Sequence, residues 1–315
     1  MTDERPTAAD DDARVRTLTP ELLAHAEGIS LKARIVGDAV LHGLHRSPRH
    51  GSSAEFADHK EYTPGDDTRH LDWRAFARFD REYVKRFENE SNLRALALVD
   101  TSGSMGYRGG PDSDRPSKLD FSSMCAGALA YVLTRQGDAV GLGTFDAKLD
   151  VRVPPRARRG HVQEILHTLE TLQPRGTTAL GAALDALAEA MARRMIVLLF
   201  TDLLDAGEGA LEAIARLGAR KHDVVLFHVM DPDELDFPFE ESTLFTSMED
   251  SREVQVDARA IKKAYLEELA RFLERVRTTA QGARVEYHLL RSDRDPTAVL
   301  TDFAMARATV RASAR

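Results

Sequence analysis

A chain of 315 residues, 43% hydrophobic and 30% charged, has room for one large α/β domain with an appendage, or for two modest domains. Its formal net charge of -8 argues against general nucleic-acid binding, and its single cysteine, Cys125, excludes an internal disulfide and a cysteine metal site. The purest apolar run, Met195 to Phe200, is strand-sized, so no membrane span is expected.

Met1 to Arg16 is polar, with Asp10-Asp11-Asp12, and lacks the basic-then-apolar pattern of a signal peptide. Residues 1–17 therefore read as a disordered acidic tail and the protein as cytoplasmic. Residues 18–92 form a separate segment considered below. From Leu93 to about residue 310, apolar strands alternate with amphipathic helices, the pattern of a doubly wound, mostly parallel sheet covered on both faces.

In chain order, Arg94 to Asp100 is the first strand of that sheet, and helical spacing follows at Phe121, Cys125, Ala128, Leu129 and Val132. Cys125 falls on that apolar stripe and reads as a buried, inert thiol. Asp138 to Phe145 is a second strand. Asp146-Ala147 then turns tightly into Lys148 to Val153, where apolar and polar residues alternate, as in an antiparallel edge strand. Two helices follow, one carrying Val162, Ile165, Leu166, Leu169 and Leu172, the next Leu180, Leu184, Leu187 and Met191. After them come a strand over Met195 to Asp202, a helix near Glu208 to Leu217, and a strand over Val224 to Met230. A long helix carries Ile261, Tyr265, Leu269, Phe272 and Val276. Val285 to Leu290 closes the sheet, and a last helix runs near Pro296 to Arg307.

The informative stretch is Leu96-Ala97-Leu98-Val99-Asp100-Thr101-Ser102-Gly103-Ser104. A strand ends on a carboxylate, and hydroxyls follow at alternate positions, D-x-S-x-S. Such hard oxygen donors suit magnesium, with manganese or calcium as alternatives. The same residues also make an ordinary turn, with Asp and Ser bonding their own backbone. The edge hairpin reverses the chain, so the loop Gln173 to Thr178 is expected near Asp100. Asp202 arrives at the same sheet edge, where open α/β sheets bind ligands.

These residues resemble the von Willebrand factor A fold and its metal-ion-dependent adhesion site. The resemblance assigns the metal-binding roles to Asp100, Ser102, Ser104, Thr178 and Asp202. Thr177 competes with Thr178, and the spacing Thr178-Ala179-Leu180-Gly181 favours the latter. The family's usual T-D-G is here Thr201-Asp202-Leu203, a departure that bears on the conformation of that loop. As the resemblance implies, one position on the cation stays open for a carboxylate of a partner protein.

Before the sheet, His42-Gly43-Leu44-His45-Arg46-Ser47, Glu61-Tyr62-Thr63-Pro64-Gly65-Asp66-Asp67-Thr68-Arg69-His70-Leu71-Asp72-Trp73 and Val84-Lys85-Arg86-Phe87-Glu88 resemble the bacterial domain-of-unknown-function family fifty-eight. Its members place this segment before an A-type domain, often encoded beside a MoxR-type AAA+ ATPase. The resemblance thus implies such an ATPase as partner and a non-catalytic interaction module.

The remaining candidates read as structural. Arg74, Arg78, Arg81, Lys85 and Arg86 are interleaved with acids, as on an ion-paired surface, and Trp73 reads as a packing anchor. Arg152, Pro154, Pro155, Arg156, Arg158 and Arg159 read as a basic connection at the sheet end opposite the metal. Asp231, Asp233, Glu234, Asp236, Glu240 and Glu241 are expected to overhang the metal edge as a solvated loop, with one carboxylate able to cap the cation. No G-x-S-x-G elbow or P-loop occurs, and His42, His45, His50 and His70 lack zinc-motif spacing. A metal-dependent hydrolase on the same cation is the competing class, and no general base stands out for it.

Overall fold

The computed structural model describes residues 28–46, 58–61, 83–86, 93–110, 113–158, 160–191, 193–204, 207–220 and 222–313. The acidic tail, Trp73, the turn after Glu61, His50, His70, Arg74, Arg78, Arg81 and Arg159 lie outside these residues. Helix α1 spans Ile29–Arg46, and strands β1 (Asp58–Glu61) and β2 (Tyr83–Arg86) form a small antiparallel pair.

The main sheet follows. Strand β3 is Arg94–Asp100, helix α2 Lys118–Arg135, β4 Ala139–Phe145 and β5 Leu149–Arg156. Helices α3 (His161–Glu170) and α4 (Leu180–Ala190) lead to β6 (Ile196–Thr201), α5 (Gly207–Ala219) and β7 (Asp223–Met230). A short helix α6 (Pro232–Asp236) and a hairpin, β8 (Ser242–Thr246) with β9 (Glu253–Asp257), precede the long helix α7 (Ala258–Gly282). Strand β10 (Glu286–Arg291) and helix α8 (Thr297–Ser313) complete the order.

The six-stranded sheet has the order β10-β7-β6-β3-β4-β5, parallel throughout except for β5, which pairs antiparallel with β4 at one edge. The chain leaves β3 towards β4 and β5, then returns to β6 on the other side. Strand order therefore reverses between β3 and β6, and Asp100 and Asp202 end up at the carboxyl ends of adjacent strands.

Alternation along β3 sorts two cores. Ala95, Ala97 and Val99 face a layer of α1, α2, α3 and α8, whereas Leu96 and Leu98 face α4, α5 and α7. Helix α2 is apolar almost all round because α1 and α3 cover the side turned away from the sheet. A capping box starts it: Ser117 Oγ accepts from Asp120 N at 3.0 Å and Asp120 Oδ2 accepts from Ser117 N at 3.3 Å.

The segment ahead of the sheet thus contributes to its core. Val36, Val40 and Leu44 of α1 are buried in the cluster that also holds Cys125 and Phe303, each contributing about 2 kcal/mol of burial. Cys125 is fully buried and its thiol pKa is pushed up by that burial, as expected of an inert thiol. Close approach of the helices depends on Gly127: a Cβ there would lie 2.9 Å from both Ala33 Cβ and Leu166 Cδ2.

The basic stretch differs from expectation. Arg152, Pro154, Pro155 and Arg156 belong to strand β5, not to a loop, and Arg152 Nε donates to Thr144 Oγ1 at 3.3 Å, next to the metal-side end of β4. The strand runs away from that end, so only its far part, from Arg156 on, reaches the opposite edge.

Gly127→Leu is expected to destabilise the fold by about 2–3 kcal/mol through overpacking between α1, α2 and α3. Urea unfolding of this variant checks it. Gly209→Ala, where nothing lies within 4 Å, should stay within about 1 kcal/mol of wild type.

Candidate metal centre

Strand β3 delivers Asp100 fully buried at its end, and the chain turns back at once. Ser102 N donates to Asp100 Oδ1 at 2.9 Å, and Thr201 Oγ1, at the end of β6, donates to Asp100 Oδ2 at 2.7 Å. A 3-10 turn over Gly103–Gly106 brings Ser104 Oγ to 3.2 Å from Ser102 Oγ. The Ser104 hydroxyl also acts on the Asp202 carboxyl, helping to lower its pKa. Asp100, Ser102, Ser104 and Asp202 are therefore gathered at one sheet edge.

The loop before α4 is pinned over this set. Arg175 N donates to Thr101 O at 2.8 Å and Gly103 N to Gly176 O at 2.9 Å. Thr177 is exposed, whereas the Thr178 side-chain oxygen is buried and without a hydrogen-bond partner. That contrast supports Thr178 over Thr177. An orphaned buried hydroxyl, in a loop tied by its backbone to the turn where two hydroxyls lie 3.2 Å apart, suits a cation that takes oxygen donors.

The electrostatics point the same way. Burial, followed by repulsion from Asp202, pushes the Asp100 carboxyl up to about 7 against the hydrogen bonds from Ser102 and Thr201. A divalent cation would relieve that repulsion. Among the described residues no three His, Cys, Asp or Glu side chains gather as a metal centre. The donors that converge here are instead two carboxylates and several hydroxyls, a set suited to magnesium or manganese rather than zinc.

The sequence reading missed Lys118, the first residue of α2. Its side chain is 0% exposed, and Nζ lies 2.7 Å from Asp202 Oδ2 and 2.5 Å from Glu234 Oε1. Burial alone would lower its pKa, but the attraction of Asp202 and Glu234 outweighs that and holds it above the ordinary lysine value. Asp202, although buried, is correspondingly held below the usual carboxylate range by Lys118. A lysine at a helix amino terminus opposes the helix dipole, and that misplacement was the available signal.

Behind Asp202, buried His228 fixes the loop. Its Nε2 is 2.9 Å from the Asp202 carbonyl oxygen, which can only accept, so Nε2 carries the proton and Nδ1 accepts from Tyr287 Oη at 3.1 Å. Leu203 takes the left-handed conformation, φ 54, at the place where the A-type pattern has glycine. The strain of roughly 1–2 kcal/mol is offset by burying its side chain, 3% exposed, in the second core.

The acidic stretch after β7 departs from the expected solvated, cation-capping loop. Asp231 caps α6, with its Oδ1 accepting from Asp233 N at 2.9 Å. Asp233 Oδ2 accepts from Arg115 Nη2 at 2.8 Å and from Tyr107 Oη at 3.2 Å, and Glu234 is taken by Lys118. Phe237, 4% exposed, stacks with Phe245 of the hairpin at 5.9 Å and with Tyr265 of α7 at 4.6 Å. Asp233 and Glu234 are thus engaged by Arg115 and Lys118 and do not form a solvated loop.

The family model described as protein of unknown function DUF58 matches residues 58–275. The chain belongs to the DUF58 family. This DUF58 chain is 27% identical over 293 residues to the uncharacterized protein Rv1480 of Mycobacterium tuberculosis, covering 91% of this chain and 90% of that protein. Among solved structures it is similar to BatB from Bacteroides thetaiotaomicron, with 17% identity and a TM-score of 0.45, covering 70% of this chain and 98% of that one. The SpRpn10 VWA domain is also similar, with 10% identity and a TM-score of 0.38, covering 66% and 93%. Among the described residues, no helix of this DUF58 chain is long and apolar enough to cross a membrane.

Burial lowers the His228 pKa from 6.5 to about 4, so the folded state disfavours its charged form. The stability this confers is complete above 6.5 and is lost as pH falls towards about 4, at up to about 1.4 kcal/mol per pH unit. Urea midpoints between pH 7 and 4 should fall in wild type, and His228→Gln should flatten that decline.

Proposed function

We propose that this chain is a metal-dependent protein-interaction module. A divalent cation, magnesium in the first instance, is held by Ser102, Ser104 and Thr178 and neutralised by Asp100 and Asp202. The cation presents an open position to a carboxylate of another protein. The observation that carries this reading is the gathering of hydroxyls and buried carboxylates from three separate loops onto one sheet edge, with the Thr178 hydroxyl left unpartnered.

The site supports binding more than turnover. Asp100 is fastened by Ser102 and Thr201, and Asp202 by Lys118 and Leu204 N, so both side chains are held in fixed positions. His228 faces the back of the loop through a carbonyl and presents no free nitrogen to the cation side. The resemblance to the DUF58 pattern adds the partner: a MoxR-type AAA+ ATPase in the cytoplasm, for which this module recognises clients or the ATPase itself. A cation-borne carboxylate contact fits that role because it is directional and is lost with the metal.

Calorimetric titration of magnesium and manganese should show one site in wild type. Ser102→Ala/Ser104→Ala should weaken it at least tenfold, about 1.4 kcal/mol. A pull-down should then recover an AAA+ ATPase with magnesium and lose it with chelator. Equal binding by wild type and the double variant would contradict the reading.

A further inference from the structure

The β8–β9 hairpin stands over the hydroxyl cluster, and its tip is built from short local bonds. Ser247 N donates to Arg252 O at 2.8 Å, while Ser247 Oγ accepts from Glu249 N at 3.3 Å and Asp250 N at 3.2 Å. Phe245 anchors the hairpin to Phe237 and Phe239. The tip then presses on the D-x-S-x-S turn itself. A Cβ added at Gly103 would lie 2.1 Å from Met248 O, so only glycine lets the hairpin backbone come this close.

This packing turns Glu249 inward, away from its exposed neighbours Met248 and Asp250. Glu249 Oε2 accepts from Thr178 N at 3.4 Å. Its other oxygen, Oε1, is buried and has no hydrogen-bond partner, and the same holds for Thr178 Oγ1. Ser104 and Glu249 line one cavity of about 430 Å³. Leaving a buried carboxylate oxygen unpaired is costly, on the order of 1–3 kcal/mol or more for a charged group. Lys118, a buried cation lining the same cavity, is already shared by Asp202 and Glu234.

We propose that Glu249 is a ligand the chain supplies to its own cation, filling the position an external carboxylate would take. The hairpin is then an internal competitor, and a partner binds by exchanging its carboxylate for Glu249. This inference rests on the cation reading of the same site. It adds to the hydroxyl donors a carboxylate that lies outside the D-x-S-x-S, threonine and aspartate pattern, in contact with the threonine loop. It also replaces the acidic stretch Asp231 to Glu241 as the source of the cap.

Manganese is the probe, bound to the full chain, with bound waters counted by water-proton relaxation. Glu249→Gln should gain one exchangeable water on the bound ion and weaken manganese binding on the order of tenfold. Acetate should displace that extra water in the variant at concentrations that leave wild type unchanged. Glu249→Asp, whose carboxylate is one methylene short, should gain the same water and serves if the glutamine variant does not fold. Asp250→Asn, on the exposed side of the tip, should match wild type. Unchanged hydration and affinity in both Glu249 variants would overturn the proposal and leave the cation site standing. Failure of wild type to bind manganese at all would overturn both.

Discussion

Two carboxylates, Asp100 and Asp202, are buried side by side at the carboxyl edge of the central strands, and the surrounding structure is organised by the need to neutralise them. An isolated buried carboxylate is too costly to persist ionised, so each must be given donors or cations. Asp202 receives Lys118, one of the largest side chains buried in the protein. Asp100 receives only dipoles, from Ser102 and Thr201, and its pKa stays raised. One carboxylate is thus compensated by the fold and the other is not, which is the asymmetry a cation at the serine hydroxyls would remove.

The same constraint explains the loops. Each hydroxyl-bearing turn is tied to another by backbone bonds, Thr101 to Arg175 and Gly103 to Gly176, so donor positions are fixed by main chain and not by flexible side chains. The aromatic cluster of Phe237, Phe239, Phe245 and Tyr265 performs the equivalent task for the hairpin, holding its tip against Gly103. Met248 and Leu244 remain exposed on that hairpin, so its outer face adds apolar surface beside the site.

Much of this was legible in the sequence because its signals were local. The apolar runs ending on Asp100 and over Met195 to Asp202, and the tight Asp146-Ala147 reversal into an alternating edge strand, indicated a mostly parallel sheet with one antiparallel edge. The preference for Thr178 over Thr177 came from the resemblance to the A-type pattern. The missing parts depend on long-range contacts. Helix α1 carries Ala33, Val36, Val40 and Leu44 at helical spacing, but no local pattern says that this face joins the sheet core. The pairing of Lys118 with Glu234, at 2.5 Å, shows only once the fold brings them together. The strands of the β8–β9 hairpin are five residues each, too short for alternation to stand out, and Glu249 sits in the turn between them.

The most direct test is a crystal of the full chain grown with manganese, its anomalous scattering locating the ion. The account predicts one peak bounded by the side-chain oxygens of Ser102, Ser104 and Thr178, at distances of about 2.0–2.3 Å from those that bind directly. A peak elsewhere, or none at saturating manganese while Lys118 alone balances Asp202, would contradict it.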